Sequence, residues 1–255
     1  MIFDSHAHYD DESFDNDRDE LLNGLKENGV GYVVNISASL DNCLNTLELI
    51  KRYDFIYGTI GVHPSETGEL KDTDEALLRE YADNEKIVAI GEIGLDYYYP
   101  EPDRDCQKHW FRKQIDIAKS MKLPLVIHSR DAAADTLSII KEERAMECGG
   151  VIHCFSYEKE MAREYLNMGF NLGIGGVVTF KNARKLKEAV QYAPIEQIVL
   201  ETDCPYLAPE PFRGKRNDSS LIKYVAAQVA ELKDMDVNDV IRITEENAKK
   251  MYNIK

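Results

Sequence analysis

Eight short apolar runs recur along this chain, separated by polar stretches with helical periodicity. The runs are Ile2-Phe3-Asp4, Val30–Ile36, Phe55–Ile60, Ile87–Ile90, Leu125–Ile127, Val151–Ile152, Asn171–Ile174 and Ile198–Leu200. Most are rich in Val and Ile without polar alternation, as strands buried on both faces are. Between them, Phe111, Ile115, Ala118 and Met121 form one helical stripe, and Leu221, Ile222, Val225, Val229 and Leu232 form another. The spacing predicts a helix over Arg104–Met121. Asn28-Gly29 reads as the stop of the first helix, and Met168-Gly169 as the stop of the helix before the seventh strand. Eight strand–helix units of roughly 28 residues each predict a (β/α)8 TIM barrel of the α/β class. An open doubly wound sheet would carry a Gly-rich phosphate loop after its first strand. His6-Ala7-His8 stands there instead, and Gly175-Gly176 and Gly91-x-x-Gly94 are single turns. No linker or low-complexity tract interrupts the pattern, so one domain over residues 1–255 is expected. The residues after about 217 are read as helical, packing on the outer ring.

Charge narrows the function classes. Lys and Arg total 31 against 46 Asp and Glu, a net charge of −15, which excludes a basic coat for nucleic acid or anionic membrane. It leaves room for a site that grips one or two phosphates. No apolar run reaches the ~18 residues of a membrane span, and the first residues lack the pattern of a signal peptide. The five cysteines include no Cys-x-x-Cys pair, which suits a reducing compartment. A cytoplasmic monomer is expected, with no membrane association and no obligate protein partner.

The polar residues are informative by position. Catalytic groups of such barrels sit at the C-terminal ends of the strands. His6 and His8 follow the first apolar run, His63 the third, Glu92 the fourth, His128 the fifth, His153 the sixth and Asp203 the eighth. Five of the six histidines therefore fall at strand ends. The spacing His6-x-His8 points both imidazoles to one side of an extended segment. His6, His8, His128 and His153 with two carboxylates exceed one tetrahedral site and fit two divalent ions, with Glu92 as candidate bridge. Arg130 and Arg213 are the candidate phosphate-binding cations, and His63 is a candidate substrate contact. His109, next to Trp110, reads as outer-ring packing or surface. Tyr97-Tyr98-Tyr99 can stack on a base or buttress a loop. Cys154 and Cys204 adjoin candidate ligands, with their thiols expected on the opposite side of the chain.

The segments Asp4-Ser5-His6-Ala7-His8, Gly91-Glu92-Ile93-Gly94-Leu95-Asp96-Tyr97, His128-Ser129-Arg130-Asp131-Ala132, His153-Cys154-Phe155-Ser156 and Glu201-Thr202-Asp203-Cys204-Pro205-Tyr206-Leu207-Ala208-Pro209 together resemble the TatD family of metal-dependent deoxyribonucleases, among the amidohydrolase-like metal barrels. The resemblance runs the length of the chain. It implies a two-metal centre in which His6, His8, Glu92 and Asp203 hold one ion and Glu92, His128 and His153 the other. It also implies phosphodiester hydrolysis, typically as a 3′→5′ exonuclease on DNA. One stretch departs from the family pattern Arg-Gly-x-x-Asn-Glu-Pro: Arg213-Gly214-Lys215-Arg216-Asn217-Asp218-Ser219 has Asp for Glu and Ser for Pro.

The expected chemistry follows. Asp203 and Glu92 are the catalytic carboxylates, Glu92 bridging the ions and Asp203 accepting a proton from the attacking water. Imidazole ligands favour zinc, manganese or iron over magnesium, whereas nucleases of this kind are usually described with magnesium or manganese, so Zn, Mg and Mn all stand as candidates. The competing reading is a metal-dependent amide or ester hydrolase on the same barrel, such as an aminoacyl-tRNA deacylase. Many such enzymes bridge their ions with a carboxylated lysine at the end of strand four, where this chain has Glu92. A binding protein on an inherited barrel would have lost ligands, and none is lost. The low positive charge further predicts a distributive enzyme acting on a strand end or short oligonucleotide.

Overall fold

A computed structural model describes residues 1–255. Its strands are β1 (Ile2–Ala7), β2 (Val30–Asn35), β3 (Ile56–Ile60), β4 (Ile87–Asp96), β5 (Leu125–Arg130), β6 (Gly150–Ile152), β7 (Asn171–Ile174) and β8 (Ile198–Leu200). They form one parallel sheet in the order β1 to β8. Each of the first seven is followed by a helix: α1 (Arg18–Gly24), α2 (Leu40–Arg52), α3 (Asp74–Ala82), α4 (Arg104–Met121), α5 (Ala133–Glu142), α6 (Lys159–Asn167) and α7 (Arg184–Tyr192). Two more, α8 (Ile222–Lys233) and α9 (Val237–Met251), follow β8. The architecture is the expected (β/α)8 barrel, and α4 has the expected bounds.

Two local expectations need correction. Helix α1 ends at Gly24, and the chain continues through turns to Gly29, whose φ of 84° closes them, so Asn28-Gly29 stops the turn and not the helix. The strands also outlast their apolar runs: His6 lies within β1, Glu92 within β4 and His128 within β5. The backbone ladder continues into the mouth of the barrel after the side chains have turned polar.

Alternation along the strands explains where these side chains go. Leu125 and Ile127, Ile152, and Ile198 and Leu200 belong to the large apolar core between strands and helices. Val126, Val151 and Val199 belong to a smaller cluster with Phe3, Val34 and Val88 that fills the barrel interior. Ala248, Met251 and Tyr252, at the end of the chain, join that cluster and plug the end opposite the mouth. Two residues beyond Val126, Val151 and Val199 stand His128, His153 and Glu201, on the same inward face.

The barrel closes between β8 and β1 without a regular ladder. Ala7 and Cys204 form an isolated bridge, Asp203 N donates to His6 O at 2.9 Å, and His8 N donates to Cys204 O at 2.8 Å. Asp4, fully buried, clasps this seam: it accepts from Thr202 N at 3.0 Å, Thr202 Oγ1 at 2.7 Å and Ser219 Oγ at 2.6 Å. Tyr9 OH donates to Ser219 Oγ at 2.8 Å and accepts from Ser219 N at 2.9 Å. A proline at 219 has no N–H for that last bond, so the departure at Ser219 exchanges a fixed backbone angle for hydrogen bonds. Burial pushes the Asp4 carboxyl up to about 7 against these bonds, which favour the charged form.

Candidate metal centre

The pairing register of β1 slips between Asp4 and Ala7, and the imidazoles of His6 and His8 come together with their Nε2 atoms 3.1 Å apart. A second slip, between Ile90 and Ile93 of β4, accompanies Glu92. Gly91 permits this, because a Cβ there would lie 2.5 Å from Cβ of Val126.

The two carboxylate oxygens of Glu92 face different nitrogens. Oε2 lies 3.4 Å from His6 Nε2 and 3.9 Å from His8 Nε2. Oε1 lies 2.7 Å from His128 Nδ1, 3.6 Å from His153 Nε2 and 3.8 Å from His63 Nε2. Asp203 Oδ1 stands 3.5 Å from His8, 3.6 Å from His6 and 3.8 Å from His153, all measured to Nε2. Asp203 sits at φ 58°, a left-handed turn that Asp tolerates. The centre thus unites the six expected ligands from five strands or strand ends.

The donor set fits divalent cations. His8 Nδ1 donates to Ile36 O at 2.9 Å, which turns its Nε2 toward the centre, where a cation can replace the proton on it. His153 Nδ1 lies 3.2 Å from Glu201 Oε1, which turns its Nε2 likewise. His63 differs. Its Nδ1 accepts from Ser65 N at 3.2 Å, so the neutral ring carries its proton on Nε2 and presents a donor to the cavity. His63, Glu92 and His128 are also close enough to share an ion.

Charge in the centre is strongly coupled. Burial disfavours the carboxylate of Glu92, but the charge of His153 and hydrogen bonds from His128 and His6 hold it well below the usual range. Asp203 is also held down, against burial, by His153 and by a hydrogen bond from His8. Burial alone would lower His8 and His153; neighbouring carboxylates outweigh it and push them up to about 9 and about 10. Burial dominates at His63, which falls to about 3. Several carboxylates and imidazoles packed this closely favour protons or cations between them.

A cavity of about 550 Å³ opens above the centre, and Arg130 is the sole Lys or Arg lining it. The Arg130 guanidinium lies 3.8 Å over the ring of Tyr98. Arg213 does not line the cavity; it covers the ring of Phe180 at 4.4 Å. Arg216 is held by Asp17 at 2.5 Å. His109, far from the centre, is exposed beside Trp110, as expected. Cys204 is buried away from the cavity, but the Cys154 expectation is overturned. Its thiol lies within 4.8 Å of donor atoms of His153 and Asp203, because φ of 45° at Cys154 breaks the extended alternation.

Three acidic residues escaped the sequence reading. Glu201 is buried behind His153 and accepts from Cys154 N at 2.7 Å. Asp96 lies 3.2 Å from His128 Nε2. Asp10 accepts from Asn35 Nδ2 at 3.0 Å and Asn42 Nδ2 at 2.6 Å at the cavity wall. Glu201 was within reach of the sequence, since it follows Val199 by two residues just as His128 follows Val126.

Comparison with known proteins gives a consistent picture. The profile of the family described as TatD related DNase matches residues 3–253. The chain is 46% identical to the uncharacterized metal-dependent hydrolase YabD of Bacillus subtilis, over all of both chains. It is 37% identical to the uncharacterized metal-dependent hydrolase YcfH of Escherichia coli K12, covering all of this chain and 96% of that one. Among solved structures, YjjV, a TatD homolog of E. coli K12, superposes with a TM-score of 0.94 at 26% identity, covering all of this chain and 98% of the other. A TatD family hydrolase of Entamoeba histolytica gives 0.90 at 27%, covering all of this chain and 99% of the other.

Proposed function

Since the chain belongs to the TatD-related DNase family, we propose that it is a divalent-metal-dependent hydrolase of DNA phosphodiesters, removing nucleotides from the 3′ end with a two-metal centre. The observation that carries this reading is the division of Glu92, with Oε2 toward His6 and His8 and Oε1 toward His128 and His153. A carboxylate so placed suits two cations side by side. His6, His8 and Asp203 would complete one set and His128 and His153 the other. Zinc, manganese and magnesium are the candidate ions. Divalent cations there would neutralise charge on the phosphoryl oxygens and make a water acidic enough to attack near neutral pH.

The chain's own residues supply the rest. Asp203, held ionised, accepts the proton of the attacking water. Arg130, fixed against Tyr98, meets a non-bridging phosphoryl oxygen, and the His63 Nε2–H donates to substrate. Glu201 and the Ile36 carbonyl orient His153 and His8. Against the amide and ester hydrolases bridged by a modified lysine, no lysine lines the cavity, and Lys86 is tied to the carbonyls of Ile50 and Tyr53. The same reading has a monomer acting in the cytoplasm without an obligate protein partner. No helix is long and apolar enough to cross a membrane.

The test is hydrolysis of 3′-labelled and 5′-labelled single-stranded DNA beside an aminoacyl-tRNA, after stripping and refilling with magnesium, manganese or zinc. Stepwise loss from the 3′ end, abolished in His128→Ala, is expected. Intact DNA with release of the amino acid would move the activity to ester hydrolysis.

A further inference from the structure

Seven large apolar or aromatic side chains are exposed on this protein; three of them, Tyr99, Tyr206 and Leu207, line the cavity over the metal centre, and Tyr98 packs edge-on against Tyr99 with ring centroids 4.9 Å apart. Tyr98 and Tyr99 follow β4, and Tyr206 and Leu207 follow β8. In a closed ring of eight strands, the fourth and eighth are opposite each other. The two aromatic groups therefore face one another across the cavity with the ligand cluster between them.

Both groups are held in place while their rings stay open to solvent. Tyr206 OH donates to Asp11 Oδ2 at 2.9 Å, its N–H donates to Asp203 O at 2.8 Å, and its carbonyl accepts from Asn217 Nδ2 at 2.8 Å. Its ring lies 6.3 Å from that of His8, next to the centre. On the other side, Tyr98 N donates to Asp96 Oδ1 at 2.9 Å, and Arg130 packs on the Tyr98 ring. A phosphate gains nothing from such surfaces. A nucleobase does, because stacking on fixed aromatic planes costs little ordering entropy. With one lining cation, the mouth has little else with which to hold a nucleotide chain.

We propose that these are two stacking jaws, one for each base flanking the scissile phosphate. The proposal rests on the phosphodiesterase reading above and adds how the substrate is gripped. A strand crosses from the β4 side to the β8 side with its phosphate over Glu92 and its two bases unstacked from each other.

The experiment compares a fluorescent single-stranded oligonucleotide with the same strand carrying stable abasic residues at its last two positions. Affinity is read by anisotropy in metal-loaded Asp203→Asn protein, and KM and kcat in the active enzyme. Each missing base is expected to weaken binding about 5- to 100-fold and to raise KM with it. Tyr99→Ala and Tyr206→Ala should weaken binding of the base-bearing strand about tenfold and leave the abasic strand nearly unchanged, while Tyr206→Phe keeps the ring and the affinity. Equal binding and cleavage of base-bearing and abasic strands by the wild-type enzyme would overturn the jaws and leave the phosphodiesterase reading standing. Failure of the metal-loaded wild type to bind or cleave either strand would overturn both.

Discussion

Glu201 and His153 face each other at 3.2 Å, Oε1 to Nδ1, in a nearly solvent-free pocket behind the metal centre. The other oxygen of Glu201 has no hydrogen-bond partner and lies where a Cβ at Gly173 would come within 2.2 Å of it. Only glycine at 173 leaves room for this carboxylate. Glu201→Gln should therefore weaken the site that includes His153 about 10- to 100-fold, with little change at the His6–His8 site. Stepwise metal titration by calorimetry reads the two sites separately, and unchanged affinity at both would remove the orienting role.

Glu92 contributes to both sets of nitrogens, so its loss should not be confined to one. Glu92→Ala is expected to retain fewer than two ions per chain after dialysis and to lose hydrolysis. Elemental analysis showing two ions per chain would contradict the bridge.

Protons and cations compete for the centre. In the metal-free protein His8 and His153 stay protonated up to about 9 and about 10. Metal must displace those protons, so affinity should rise with pH between 7 and 9, by up to about tenfold per pH unit for each proton released. Stability runs the other way. A raised imidazole pKa stabilises the fold fully below the unfolded value near 6.5, and that contribution is lost as pH rises through the folded value. The melting temperature of metal-free protein should therefore fall from pH 7 to 10, and that of loaded protein should fall less. A metal affinity independent of pH over this range would rule out the competition.

Ser219 holds the loop after β8 to Asp4 and Tyr9. Ser219→Ala leaves buried polar groups short of partners and should destabilise the protein by about 1–3 kcal/mol, measured by denaturant unfolding of the metal-free chain. An unchanged midpoint would mean that the seam does not depend on this residue.

Substrate binding should depend only weakly on salt. Arg130 alone lines the cavity, while Arg213 and Arg216 are engaged elsewhere. For about one or two phosphates neutralised on a single strand, the slope of log affinity against log salt is about −1. A slope several times steeper would reveal a basic path outside the cavity.

The barrel was legible because buried parallel strands leave an unmistakable period of apolar runs, and the six candidate ligands could be singled out because each stands just beyond one. Glu201 was legible in principle, through the alternation it shares with His128 and His153. Asp4 was not, since its partners Thr202 and Ser219 are distant in sequence and meet it only across the seam. Cys154 and Arg213 were misplaced for a common reason. Both lie in turns or loops where side-chain direction follows local backbone angles and neighbours such as Phe180, which no repeat encodes.

The seam also fixes when the centre can come into being. Asp4 and Thr202, 198 residues apart, are joined there, and the same junction brings His6 and His8 to Asp203. A growing chain that has built seven strands has the imidazoles of β1 but neither Asp203 nor the clasp that holds them in register. The set of donors is therefore complete only with the last strand, and a chain still emerging without it carries the imidazoles of β1 as an unarmed fragment.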